Sequence, residues 1–131
     1  MKNNSADIWF SRFIRLRDSD DEGYCKCVTC NNKFWWKSMD CGHWVKRQHN
    51  GVRFHEKNCH AQCKDCNWLK QGNDSVYEKV IIERYGMGIR NLLKSAEHKA
   101  FKQSKMDLKI LAQIYKEKTI LLAKSKGLTR R

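Results

Sequence analysis

The 131-residue chain contains no proline and only seven glycines. That scarcity excludes the proline- and glycine-rich low-complexity classes. Acidic residues are scarce too: Asp and Glu number 14 against 27 Lys and Arg, a formal net charge of +13. An excess of that size favours a polyanionic partner, with nucleic acid first in line. Long apolar runs are missing as well. Stretches such as Thr119-Ile120-Leu121-Leu122-Ala123 fall far short of the roughly 20 residues a bilayer crossing takes, so no membrane partner is expected. Met1-Lys2-Asn3-Asn4-Ser5 leads into an amphipathic stretch rather than an apolar signal segment. The expectation is a soluble, cytoplasmic protein. Its length suits one domain, or one compact domain with a helical arm, and excludes a multidomain enzyme.

What the chain does hold is cysteine, seven in all. In a reducing compartment thiols serve metals more often than disulfides. Cys27-x-x-Cys30 and Cys63-x-x-Cys66 form two pairs separated by 32 residues. Each pair can present both sulfurs from one tight turn, and four thiolates suit a tetrahedral structural Zn²⁺. Such a site contributes on the order of 10 kcal/mol to folding in small domains. Cys25, Cys41 and Cys59 read as small buried hydrophobes.

The pattern along the chain predicts an α+β protein. Ile8, Trp9, Phe13 and Leu16 recur at helical spacing over Ser5 to Arg17, and Asp18 to Gly23 forms an acidic turn. Tyr24 to Trp44 favours short strand pairs around a knuckle at Cys27 to Cys30. A polar, basic loop covers Lys46 to Lys57. His60 to Gln71 reads as a short helix stopped by Gly72. Ser75 and Glu78 suggest a capping box opening a helix to about Gly86, followed by helices over Ile89 to Phe101 and from Ser104 to Gly127. A boundary near Asn73 would separate a metal-rich core, residues 1–73, from a helical extension, residues 74–131.

A closed four-thiolate site has no open position and does no chemistry itself. Catalysis would fall to a second set: Asp40, His43, Asn58 and His60 inside the loop closed by the cysteines, and Asn67 directly after the last of them. This arrangement resembles the HNH, or ββα-metal, nucleases. The resemblance makes His43 the general base, Asn58 the residue bracing the hairpin loop, and Asn67 a metal ligand, as in junction-resolving nucleases of the endonuclease VII type. Asp40 lies three residues before His43, on the opposite face of a regular strand. Both reach one site if the strand ends or bulges at Gly42; otherwise His60 becomes the better ligand.

A closer resemblance runs from Trp9 to Asn73. Trp9-Phe10-Ser11, Ile14-Arg15-Leu16-Arg17-Asp18, Asp40-x-Gly42-His43 and Arg53-Phe54-x-Glu56-x-Asn58-x-His60-x-Gln62-Cys63-x-x-Cys66-Asn67-x-x-Lys70-x-Gly72-Asn73 resemble the NinG (Rap) recombination nucleases of lambdoid phages. The implied protein is phage or prophage encoded and cuts branched DNA, Holliday junctions and D-loops, in the bacterial cytoplasm. Its expected fold is a small zinc-framed ββα-metal core with an N-terminal helix and a helical C-terminal half.

The chemistry is consistent with that reading. Phosphodiester hydrolysis needs an oriented water, a base, and positive charge at the phosphorane. A neutral imidazole can act as the base, and Mg²⁺ or Mn²⁺ on the hard oxygens of Asp40 and Asn67 can bring the charge. Residues 33–70 carry eight basic side chains against three acidic. Of these, Lys46, Arg47, Arg53 and Lys70 are candidate DNA contacts. Trp35, Trp36, Trp44 and Trp68 either stack on exposed bases or fill the core. Two cuts per junction suggest a homodimer on the substrate. A non-catalytic zinc module binding nucleic acid, and an HNH nickase of ordinary duplex, remain as alternatives.

Overall fold

The protein is described here by a computed structural model covering residues 3–129. Helix α1, Ser5–Asp18, starts at a reciprocal cap: the Asn4 side chain accepts the Asp7 N–H at 2.9 Å and Asp7 accepts the Asn4 N–H at 3.0 Å. Strands β1 (Tyr24–Lys26) and β2 (Lys33–Trp35) pair antiparallel around the expected knuckle. There Asn31, at φ 64°, donates its N–H to the Cys27 carbonyl at 2.9 Å.

The second sheet positions the site. Strand β3, Asp40–His43, pairs antiparallel with β4, Cys59–Gln62, setting Asp40 against Gln62 and His43 against Cys59. Here the structure departs from the expected helix from His60. Every residue of β4 is buried. A strand covered on both faces loses the alternation that marks it in sequence. The helical segment is reduced to one π-type turn, Asp65–Leu69, with the Lys70 N–H reaching the Asp65 carbonyl at 3.0 Å. No bulge forms at Gly42 either, since the register is continuous. Gly42 instead makes room for the Gln62 side chain, because a Cβ there would lie 2.2 Å from Gln62 Oε1.

Helix α2, Asp74–Ser95, replaces the two expected helices; it is broken at Gly86 (φ 86°, ψ 170°) and ends before Phe101. Its N-cap is Asn73, in the left-handed conformation with no side-chain cap bond, and not Ser75. Helix α3, Lys105–Ser125, begins at a true capping box between Ser104 and Asp107.

The division at residue 73 is not a boundary in the packing. Tyr115 of α3 meets Phe10 and Phe13 of α1 at ring distances of 4.9 and 5.4 Å, and Leu128 is buried in the same cluster as Cys27, Cys63 and Cys66. An amphipathic helix needs a partner for its apolar stripe, and each of these two supplies the other's. No helix among the described residues is long and apolar enough to cross a membrane.

Candidate functional site

The knuckle and the start of the π-type turn bring Cys27, Cys30, Cys63 and Cys66 together, with all four sulfurs within 4.8 Å of one another. Zinc–sulfur bonds of about 2.3 Å set tetrahedral sulfurs about 3.8 Å apart. Cys30 Sγ and Cys63 Sγ are 3.8 Å apart. Backbone N–H groups point at the sulfurs, Cys63 at Cys27 Sγ (3.3 Å) and Cys66 at Cys63 Sγ (3.5 Å). Hydrogen bonds of this kind favour thiolates. The donor set fits a metal such as zinc.

Beside this cluster a cleft of about 710 Å³ is lined by residues of α1, β3, the following loop and the π-type turn. Five basic residues line it, Arg15, Lys37, Lys46, Arg47 and Lys64, against two acidic ones, Asp7 and Asp40. Asp40, His43 and Asn67 all face this cleft. Although Asp40 and His43 point from alternate faces of β3, they occupy its first and last residues, where the strand no longer separates them. Asp40 accepts from Lys64 Nζ (2.7 Å), Asn67 Nδ2 (3.0 Å) and Trp68 Nε1 (2.8 Å). Burial alone would raise the Asp40 carboxyl, but the bonds from Lys64, Asn67 and Trp68 outweigh it and hold the group below its ordinary value.

His43 Nε2 lies 2.8 Å from the Arg53 carbonyl oxygen. A carbonyl only accepts, so Nε2 carries the proton and Nδ1 the lone pair. Burial pushes the His43 imidazole below its ordinary value, against the opposing pull of the Arg53 and Cys41 backbone. The ring is therefore a neutral base near neutral pH. Asn58, fully buried, staples the loop over residues 44–58: its Oδ1 accepts the Val45 N–H at 2.9 Å and its Nδ2 donates to the carbonyls of Val45 (2.9 Å) and Val52 (3.3 Å).

Other expected residues lie elsewhere. His60 is not brought to the cleft; it is buried, with Nδ1 3.0 Å from Tyr77 Oη and Nε2 2.7 Å from Tyr85 Oη. Its burial drives the imidazole down to about 3. Arg53 is not an open phosphate contact: its side chain is 8% exposed and forms a forked ion pair with Asp7. Lys46 and Arg47 do line the cleft, Lys46 also reaching Asp74 at 3.0 Å and Arg47 the Asn3 side chain. Lys70 is exposed outside the cleft lining. Among the tryptophans, Trp36 and Trp44 fill the core, and Trp68 is 72% exposed at the cleft edge. Sequence reasoning passed over Asp7, Tyr77 and Tyr85. Asp7 carries a helix-start signature that hides its second role, and the tyrosines belong to α2, beyond the expected boundary.

Comparison with known proteins identifies the family. A family model described as Bacteriophage Lambda NinG protein matches residues 3–125. Protein ninG of Salmonella phage P22 is 32% identical over 107 residues, covering 81% of this chain and 50% of that protein. Protein ninG of Escherichia phage lambda is 36% identical over 75 residues, covering 56% of this chain and 34% of that protein. The chain thus spans half or less of the length of the curated relatives it matches. No solved structure matches it. Because the family match takes in the four-cysteine cluster, the cleft and all of α3, the chain as a whole belongs to the NinG family of phage proteins.

Proposed function

We propose that this protein is a metal-dependent endonuclease of HNH type that hydrolyses phosphodiester bonds in branched DNA during phage recombination, in the host cytoplasm. One observation carries the reading. A neutral His43, anchored through Nε2 to the Arg53 carbonyl, lines the same basic cleft as the ionised Asp40 and Asn67.

In that cleft His43 Nδ1 takes the proton of a water attacking phosphorus, and the Arg53 carbonyl steadies the imidazolium that results. Arg47 and Lys46 lie where a phosphate backbone enters, and the exposed Lys46–Asp74 pair is weak enough to open for it. Asp40 and Asn67 would hold Mg²⁺ or Mn²⁺. Their hard oxygens suit such an ion, and the ammonium of Lys64 already sits on the Asp40 carboxylate as a cation does. When bound, the ion supplies positive charge for the pentacovalent phosphate and the leaving oxygen. The four cysteines would hold a structural zinc that ties the knuckle between β1 and β2 to the start of the π-type turn. Two such sites, in a homodimer, serve the two opposed strands of a junction.

The test is incubation of purified protein with a four-way junction and a matched duplex, each with Mg²⁺, Mn²⁺ or EDTA. Metal-dependent nicks confined to the junction are expected. Equal cutting of the duplex would make the protein a general nickase, and binding without cutting under any ion would leave a non-catalytic nucleic-acid module.

A further inference from the structure

Outside the four-cysteine cluster, the described residues hold one more group of soft metal donors. Cys41 and His43 alternate onto one face of β3, and Cys59 stands opposite His43 in the register. Their donor atoms lie within 4.8 Å of one another. We infer that Cys41, His43 and Cys59 form a second metal site, for a thiophilic divalent cation of the zinc and cadmium class, and that filling it silences the cleft by occupying the base.

The surroundings select that class of ion. Cys59 is fully buried and Cys41 packs against the same cluster as Phe10, Phe13 and Ile14. An apolar pocket rejects net charge. Two thiolates and a divalent ion sum to zero, so the filled site carries no net charge into the pocket. Sulfur donors suit zinc-class ions and not Mg²⁺ or Mn²⁺. Cys41 and His43 line the cleft, which gives the ion an entry path. The Arg53 carbonyl, 2.8 Å from His43 Nε2, keeps the proton on that nitrogen and leaves Nδ1 to bind the ion. Binding is coordination alone, with two thiol protons released to solvent and no change of oxidation state. Cys25 shows the contrast: its thiol bonds the Arg15 carbonyl at 3.2 Å and belongs to neither donor group.

The binding half of this inference stands on geometry; the silencing half rests on the nuclease reading. The experiment titrates Cd²⁺ into the full chain and into Cys41→Ser, counting equivalents by the thiolate-to-cadmium ultraviolet band. Junction cleavage at fixed Mg²⁺ is followed in parallel as Zn²⁺ is added. Wild type is expected to bind one equivalent more than Cys41→Ser. Its cleavage should fail at that extra equivalent, while the variant tolerates at least about tenfold more zinc. His43→Ala, which keeps both thiols, should weaken the same equivalent and serves as the second variant for binding. Equal stoichiometry in wild type and both variants overturns the site. An extra equivalent that leaves cleavage intact overturns the silencing, and with it His43 as the base. If wild type cuts nothing, the nuclease reading and the silencing fall together while the binding count still decides the site.

Discussion

His43 depends on a carbonyl oxygen ten positions along the chain, because the Arg53 C=O fixes which ring nitrogen is free. Removing that nitrogen should cost the roughly 10² to 10⁴-fold that general-base loss costs, with DNA affinity retained. Cleavage and gel-shift measurements on His43→Ala check both halves, and undiminished cleavage would remove His43 from the chemistry. His60 gives a prediction of a different kind. Its folded imidazole titrates near 3, against an ordinary value of 6.5. Between those values the unfolded chain binds the extra proton, so stability rises with pH there and falls as pH drops below about 6.5. The loss reaches roughly 4 to 5 kcal/mol once pH nears 3. Denaturant melts from pH 7 to pH 4 should show this slope, and His60→Gln should flatten it. An unchanged slope in the variant would assign the acid sensitivity to other groups.

At the scale of elements, the frame is two short strands, a stapled loop and one turn of helix. Asn58 closes that loop with three bonds to backbone that would otherwise be buried unpaired. Orphaned buried groups cost about 1 to 3 kcal/mol each. Asn58→Ala should therefore destabilise the protein by about 3 kcal/mol or more and lower cleavage, through displacement of the Arg53 carbonyl. A thermal melt and a cleavage assay measure the two effects, and a variant with wild-type stability would deny the staple. Asn58 was singled out through the resemblance to the middle Asn of the HNH pattern. The knuckle, α1 and α3 were legible because their cues are local: two cysteines three apart and apolar residues recurring at helical spacing. Strand β4 was not, since burial on both faces erased its alternation. Gly42 signalled a special backbone, but the reason lay in the Gln62 side chain crossing from the partner strand. Such cross-strand demands leave no trace in spacing. The same holds for Asp7 with Arg53, 46 residues apart.

At the scale of the whole molecule, the question is whether the four-cysteine core can stand without the helices that follow it. Sequence alone placed a boundary at residue 73, and a truncated core would then fold around its zinc. The packing argues otherwise. A chain ending at Gly72 loses Tyr77 and Tyr85, leaving the buried His60 ring with neither hydroxyl. It also loses Tyr115 from Phe10 and Phe13, and the Tyr115 and Lys118 bonds to Glu56, each 3.0 Å. Lys126, which donates to the Leu16 carbonyl at 2.7 Å where α1 ends, goes too. A structural metal contributes on the order of 10 kcal/mol, but only to a chain that can bring its ligands together and bury what surrounds them. We therefore expect residues 1–72 to bind zinc through the two cysteine pairs yet show no cooperative melt and no fixed aromatic near-ultraviolet dichroism. The full chain should lose its own cooperative transition when Cys63→Ser removes a ligand, because both halves share the Leu128–Cys63–Cys66 cluster. A sharp transition in the zinc-loaded fragment would show that α2 and α3 are dispensable, and the folding unit would then be the first 72 residues alone.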